Sequence, residues 1–512
     1  MIRRLSSTLL CLFIFSISSA QHDAQRDAMI ALHRGDGSGY AEEFINPRAD
    51  AGRVESHVIA MMRALSIGDT DEAIKRAEGG LAAGLNPARL WAGGSEWLAE
   101  LRAHPRFESL PGVSDVPAVI HGPMLGAVTD TSAKTWIRLR ESGTVRGRVG
   151  EQTTEPFTAD QPGAYAAVID WVGLDPATRY DVVIEKETAE GWIEIASVGF
   201  DTHPPADEGA VFEVAFGGGA GYIPEWERMW DTIRGFEPEA MLMLGDNVYI
   251  DDPTQPETQW YCYHRRQSLP EWRRLIAEVP IYSIYDDHDF GDNDCMPGPA
   301  IDKPAWKRPV WEVFRSNWAN PGYGGGDQNP GCWYHFAIAD VEFWMLDGRY
   351  YRHRESKSML GPVQREWLLK GLAASQATFK VIVSPVPFTP GIKPGSLDPW
   401  DGYPEEREAI FDHIADERIE GVFLVAADRH RTDLRRIDRD DAYPLYEFES
   451  SRLTNRHTHG VVETEGLIWG YRDQCSFGLI EFDTIGESAQ ARFRCINIDG
   501  EEQEEFLLDR SL

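Results

Sequence analysis

Cysteine is scarce in this chain, six in 512 residues, and no two stand in a Cys-x-x-Cys spacing. That excludes a zinc knuckle and a dithiol redox motif. Positive charge is scarce as well. Fifty Lys and Arg face 83 Asp and Glu, a formal charge of −33, so the basic face needed for a nucleic-acid binding surface is missing. The acid surplus reads first as solubility, with room for some calcium coordination by surface carboxylates. After residue 20 no apolar run is long enough to span a bilayer. Aromatics, by contrast, are plentiful: 17 Trp, 17 Tyr and 22 Phe belong to a folded protein with a sizeable core, not a disordered one. The length suits one large domain and one or two small ones.

The first twenty residues have the order of an export signal: Arg3 and Arg4, an apolar stretch from Leu9 to Ile17, then Ser18-Ser19-Ala20 as a small-residue cleavage site. The stretch is too brief for a membrane anchor, and Leu9-Leu10-Cys11 lacks the small residues of a lipoprotein site. A soluble, exported chain, periplasmic or extracellular, is therefore expected. Cleavage leaves Cys262, Cys295, Cys332, Cys475 and Cys495. Export permits disulfides, and Cys475 with Cys495, on neighbouring C-terminal strands, is the candidate pair.

Composition divides the remainder. Residues 21–54 form a polar, partly flexible segment with a Gly35-Asp36-Gly37-Ser38-Gly39 break. Over 55–112 apolar residues recur three and four apart, as at Val58, Met61, Met62 and Leu65, and Asp69 is placed to cap a following helix. This predicts a small helical domain, to which packing or partner binding is assigned and no chemistry. Over 116–203 short alternating runs such as Thr135 to Leu139 and Tyr180 to Ile184, separated by Gly, Pro and Asp turns, predict an antiparallel β-sandwich. Its Leu174 to Tyr180 stretch resembles a corner of fibronectin type III modules. From 206 to 512 strands alternate with helices, an α/β pattern.

Within that last region five apolar runs end in polar turns. Ala240 to Leu244 leads into Gly245-Asp246-Asn247-Val248-Tyr249, and Pro280 to Tyr285 into Asp286-Asp287-His288-Asp289. Val341 to Leu346 leads into Asp347-Gly348-Arg349-Tyr350-Tyr351-Arg352, Phe379 to Val383 into Ser384-Pro385, and Val422 to Ala427 into Asp428-Arg429-His430. Such ends lie where open α/β sheets place their ligand crevice. Carboxylates gathered on one rim repel unless a cation lies among them, so the physical reading is a metal site.

Those motifs, with Asn293 and with Gly361-Pro362-Val363-Gln364-Arg365-Glu366-Trp367-Leu368, follow one another as in the PhoD-like alkaline phosphatases (alkaline phosphatase D family) of the metallophosphoesterase superfamily, which the chain resembles from about Val116 onward. The resemblance implies a calcineurin-like α/β/β/α metallophosphoesterase sandwich preceded by a fibronectin III-like β-sandwich; the small helical segment before them lies outside the resemblance. It implies two or more metal ions, calcium and ferric iron by the family's habit. Asp246 is the expected bridging carboxylate, since two close cations need a shared anion, and Tyr249 the family's phenolate ligand to iron. Asp287 and Asn293 suit calcium. Asp428 and His430 match the family's last metal-binding pair, and His288 is the expected general acid. Arg349 and Arg352 are candidates to hold substrate phosphate oxygens, equally weighed against pairing with the surplus acids. Arg429 and the Tyr261, Tyr263, Arg265, Arg266 cluster are weaker candidates of that kind. One departure bears on iron: where family members carry Ser-Cys, this chain reads Phe216-Gly217-Gly218-Gly219. The expectation is thus an exported metal-dependent phosphoester hydrolase with a phosphoester substrate. Any cell-surface or wall contact would fall to the N-terminal modules. The alternatives are a diesterase acting on lipid head groups or wall polymers, and a non-catalytic surface-binding protein on a degenerate phosphatase scaffold.

Overall fold

Alternation along the strands dictates the layering. In a computed structural model, which describes residues 23–35, 50–93, 95–160, 163–440, 442–486 and 488–510, strands Val341–Met345, Phe379–Val383 and Val422–Ala426 lie parallel and in register. Phe343, Met345, Val381, Val383, Phe423 and Val425 point to one core, and Trp344, Ile382 and Leu424 to another, as period-two side-chain placement requires. The second core is closed by helices Gly361–Ala374 and Pro404–Asp416 through Leu368, Leu372, Ile410, Phe411 and Ile414. The first faces another sheet. Phe482 from that sheet meets Phe343, Phe379 and Phe423 at ring-centroid distances of 5.8, 5.9 and 6.1 Å.

The facing sheet runs Ile281–Ile284, Ala240–Leu244, Val211–Gly217, Ser476–Asp483, Gln490–Asn497, Glu502–Asp509 in spatial order. Its first three strands are parallel and the rest antiparallel. Helices Met229–Arg234, Pro270–Glu278 and Lys307–Arg315 contribute Trp230, Trp272, Trp311 and Phe314 to its core. The result is helix, sheet, sheet, helix. A parallel bridge from Gly218 to Ser451 joins the sheets at the rim. The five expected strands of this region are all present, but Pro256–Gln267, Pro270–Glu278, Lys307–Arg315 and Pro404–Asp416 form helices that no pattern had singled out.

Residues 119–201 form two antiparallel sheets around one core that includes Ile137, Val145, Trp171, Val182 and Phe200. The module is docked on the α/β region: Trp136 Nε1 donates to Ser316 O (2.9 Å), Arg138 to Asn317 Oδ1 (3.0 Å) and Tyr282 to Val128 O (2.9 Å). The helical region contains Asp50–Ser66 and Thr70–Ala82, the latter capped by Asp69 as expected. Within 21–54 a further helix, Ala24–His33, buries Arg26, Met29 and Leu32 and packs on Pro256–Gln267. The export signal lies outside the described residues, as does most of the 35–39 break. The expected Cys475–Cys495 disulfide is absent; both thiols are free and buried. Register explains it: Cys495 stands opposite Gly478, while Cys475 lies before the strand with its Sγ near Asn455 O.

Candidate metal centre

Strand ends from both sheets meet at one rim. Gly245 (φ +105°) lets the first loop turn hard, because a Cβ there would strike Asp286. Asp246 follows in a left-handed conformation (φ 52°), as are Asp251, Asp428 and His430. Non-glycine residues in that region cost about 1–3 kcal/mol each and persist where surrounding structure holds them. Here Asp289 is the holder: its Oδ1 accepts from Asn247 and Val248 N–H at 3.0 and 3.1 Å. Ala220 N–H also donates to Asp246 O (2.7 Å).

The loop brings three expected ligands together. Tyr249 donates to Asp246 Oδ2 at 2.9 Å, its hydroxyl lies 3.2 Å from His430 Nε2, and that nitrogen lies 3.5 Å from Asp246 Oδ2. Asn455 Nδ2 donates to the same hydroxyl at 2.6 Å. Asp246, Asp287 and His288 offer ligand atoms within 4.8 Å of one another, all three residues buried. Asp246 Oδ1 is buried with no hydrogen-bond partner. Burial, then the charges of Asp287 and Asp428, push the Asp246 carboxyl up to about 7 against the pull of His288. Burial also lifts Asp287, but the charges of Arg349 and His288 outweigh it and hold that carboxyl below its usual range. Burial takes His430 down to about 3, so its imidazole is in the neutral, ligating form. An orphaned carboxylate oxygen, crowded like charges and a neutral imidazole fit a cation.

His288 is buried, and its Nδ1 pairs with Asp251, which in turn pairs with Arg26 from helix Ala24–His33. Burial alone would lower His288; Asp251, Asp287 and Asp246 together raise it well above the usual histidine value. Arg26 also donates to Tyr249 O at 2.8 Å. The segment read as polar and partly flexible thus contributes a helix that braces the loop carrying Asp246 and Tyr249.

Asp428 lies 3.9 Å from Lys393 Nζ and 3.4 Å from Arg429. Asn293 is exposed, whereas its neighbour Asp294 groups with Asp287 and Asp398. Lys393 sits among those acids, 2.9 Å from Asp294 and 3.3 Å from Asp398. Arg349 and Arg352 are buried and engaged by carboxylates: Arg349 by Asp286 and by Asp398 at 2.7 Å, Arg352 by Asp398. Of the two readings weighed for them, pairing with the acids is the one these contacts describe. Arg265 pairs with Asp23 and Arg266 with Glu227, so the cluster on Pro256–Gln267 bolts segments together. Gly219 (φ +69°) abuts the site, and a Cβ on it would lie 3.2 Å from His430 Cδ2 and 2.9 Å from Arg452 N. Close packing is the reason for glycine there.

Sequence reasoning missed Asp251, Asn455, His457 and His459. The signal for the last three was present: strand Leu445–Ser450 ends in a sixth rim, carrying Asn455-Arg456-His457-Thr458-His459. His430, His457 and His459 form a third group with ligand atoms within 4.8 Å.

Against known proteins, residues 214–466 match the model of the PhoD-like phosphatases, and residues 116–197 that of a domain of unknown function, DUF7800. Alkaline phosphatase D of Bacillus subtilis (strain 168) is 25% identical over 155 residues, 26% of this chain and 26% of that protein. The match therefore spans about a quarter of that relative's length. A solved structure of PhoD superposes with a TM-score of 0.63 at 16% identity, over 76% of this chain and 89% of that one. A purple acid phosphatase from yellow lupin (Lupinus luteus) seeds gives 0.57 at 12% identity, over 77% and 75%. At these identities the two structures establish likeness of fold.

Proposed function

Because the chain belongs, through residues 214–466, to the PhoD-like phosphatase family, we propose that it is a metal-dependent phosphoester hydrolase. The observation that carries this is the meeting of Asp246, Tyr249 and His430 from opposite sheets, beside Asp287 and His288. Asp246, Tyr249 and His430 would hold one cation. Asp287 and Asp428, with Asn293 from the exposed turn, would hold a second, and Asp246 would be shared. Carboxylate and amide oxygens suit calcium, and a phenolate with imidazole suits iron. Bound there, such ions supply Lewis acidity toward phosphoryl oxygens and bring the pKa of a water toward neutrality.

The chain's own residues do the rest. Asp251 anchors Nδ1 of His288 and so aims the ring, whose Nε2 gives its proton to the departing oxygen. Asn455 and Asp246 hold the Tyr249 hydroxyl in place. Arg349 and Arg352 act at one remove, fixing Asp286 and Asp398 behind Asp287. Further parts of the reading are export under the leader at residues 1–20, a fibronectin III-like character for 116–203, and surface or wall contact through the N-terminal modules. The second of these is supported by Tyr180, whose hydroxyl accepts from Asp175 N–H at 2.8 Å across the corner.

The test is turnover of a chromogenic phosphomonoester and diester, with chelation and metal add-back; the ratio of the two rates separates phosphatase from diesterase. Asp246→Asn keeps an acceptor for Tyr249 but removes the shared charge. It is expected to lose on the order of 10²–10³ in kcat with an unchanged melting temperature. Turnover in the variant equal to that of the parent rejects the reading.

A further inference from the structure

We propose that the cation at His430 is a transition-metal ion with two additional imidazole ligands, His457 and His459, supplied by the loop after strand Leu445–Ser450. The inference rests on the metal-dependent reading above and names the class of metal at one of its positions. His457 Nε2 and His459 Nε2 lie 3.1 Å apart. Two imidazoles in neighbouring positions on one ion, at metal–nitrogen distances of about 2.0–2.1 Å, would have their nitrogens about 2.8–3.4 Å apart, so the pair already has the required bite. The His430 ligand atom completes the group within 4.8 Å. The rings are set around a common point: His457 stands edge-on to His430 and to His459, with centroids at 5.4 and 4.4 Å, and His459 stacks on His430 at 5.9 Å.

The loop is fastened for this arrangement. Asn455 Oδ1 accepts from His457 N–H (2.9 Å), while its Nδ2 donates to Tyr249. Thr458 Oγ1 donates to His430 O (2.9 Å), tying the two histidine-bearing segments together. Imidazole nitrogens favour zinc, iron or cobalt over calcium. The ordinary alternative is an N–H···N bond between His457 and His459 with no metal role.

Cobalt(II) is the probe. Metal-free full-length chain is titrated with it in excess calcium, read by visible absorption and by elemental analysis. The parent is expected to take up cobalt with an imidazole-type absorption band, and His457→Ala/His459→Ala to bind it about 100-fold more weakly or worse, beyond the loss from an outer-shell partner. The single variants His457→Asn and His459→Gln, milder for folding, should each lose about 10-fold. Equal cobalt affinity in parent and all variants, or no cobalt uptake by the parent, overturns the proposal. Loss of cobalt in the variants of a parent with no phosphoester turnover leaves the metal site standing and rejects the hydrolase reading. Turnover with unaltered cobalt affinity does the reverse.

Discussion

Asp286, Asp287, His288 and Asp289 are consecutive, yet one short turn of helix sends each to a different task. Asp286 receives Arg349, Asp287 joins the candidate metal ligands, His288 meets Asp251, and Asp289 accepts the backbone of the Asp246 loop. The concentration of acid and imidazole was legible in the sequence. The division of labour was not, because it is set by which neighbour each side chain meets from loops 37 to 63 positions away. If His288 protonates the leaving oxygen, His288→Ala should cost on the order of 10²–10⁴ in kcat for alkyl phosphoesters. It should cost far less for nitrophenyl esters, whose leaving group needs no proton. Asp251→Asn, which leaves the imidazole in place but disturbs its aim, should reproduce the same leaving-group pattern in weaker form. A loss of equal size for both ester types would remove the acid role from His288.

At the scale of elements, helix Ala24–His33 illustrates what a pattern cannot reveal. Its sequence is polar enough to read as a loose connector, and Arg26 resembles any surface arginine. In the fold Arg26 is fully buried, 223 positions from the Tyr249 carbonyl it donates to, and it neutralises the Asp251 that holds His288. No periodicity encodes such a contact; only tertiary docking of the helix on Pro256–Gln267 makes it. Truncating Arg26 removes one of the two cationic partners of Asp251, which is partly exposed and keeps His288; breaking a fully buried pair on one side costs about 3–5 kcal/mol. Arg26→Ala should therefore destabilise by up to about 3 kcal/mol, read as a lowered denaturant midpoint, and reduce kcat with little change in KM, and Arg26→Lys should recover part of both. An unchanged midpoint would mean that the helix merely rests on the surface.

Over the whole molecule the strand runs, their α/β class and the polar rims were readable, because apolar runs alternating with helical stretches and the abrupt Gly-Asp and Asp-His ends are local signals. Which rims face each other was not, since that depends on two sheets stacking. The stack itself holds the site: Asp246 and Asp287 come from one sheet, Asp428 and His430 from the other, and the Gly218–Ser451 bridge is one of the rim contacts between them. The aromatic wedge at Phe482, against Phe343, Phe379, Phe423 and Phe212, sets the spacing of those halves from within the core. Phe482→Ala removes a fully buried ring and should destabilise by about 3–5 kcal/mol. Slackened registry between the sheets should also weaken metal retention, although no ligand is touched. The paired measurement is the denaturant midpoint and metal content after dialysis. A stability loss of that size with metal content intact would show that the rim loops, not the stacked sheets, keep the ligands in register.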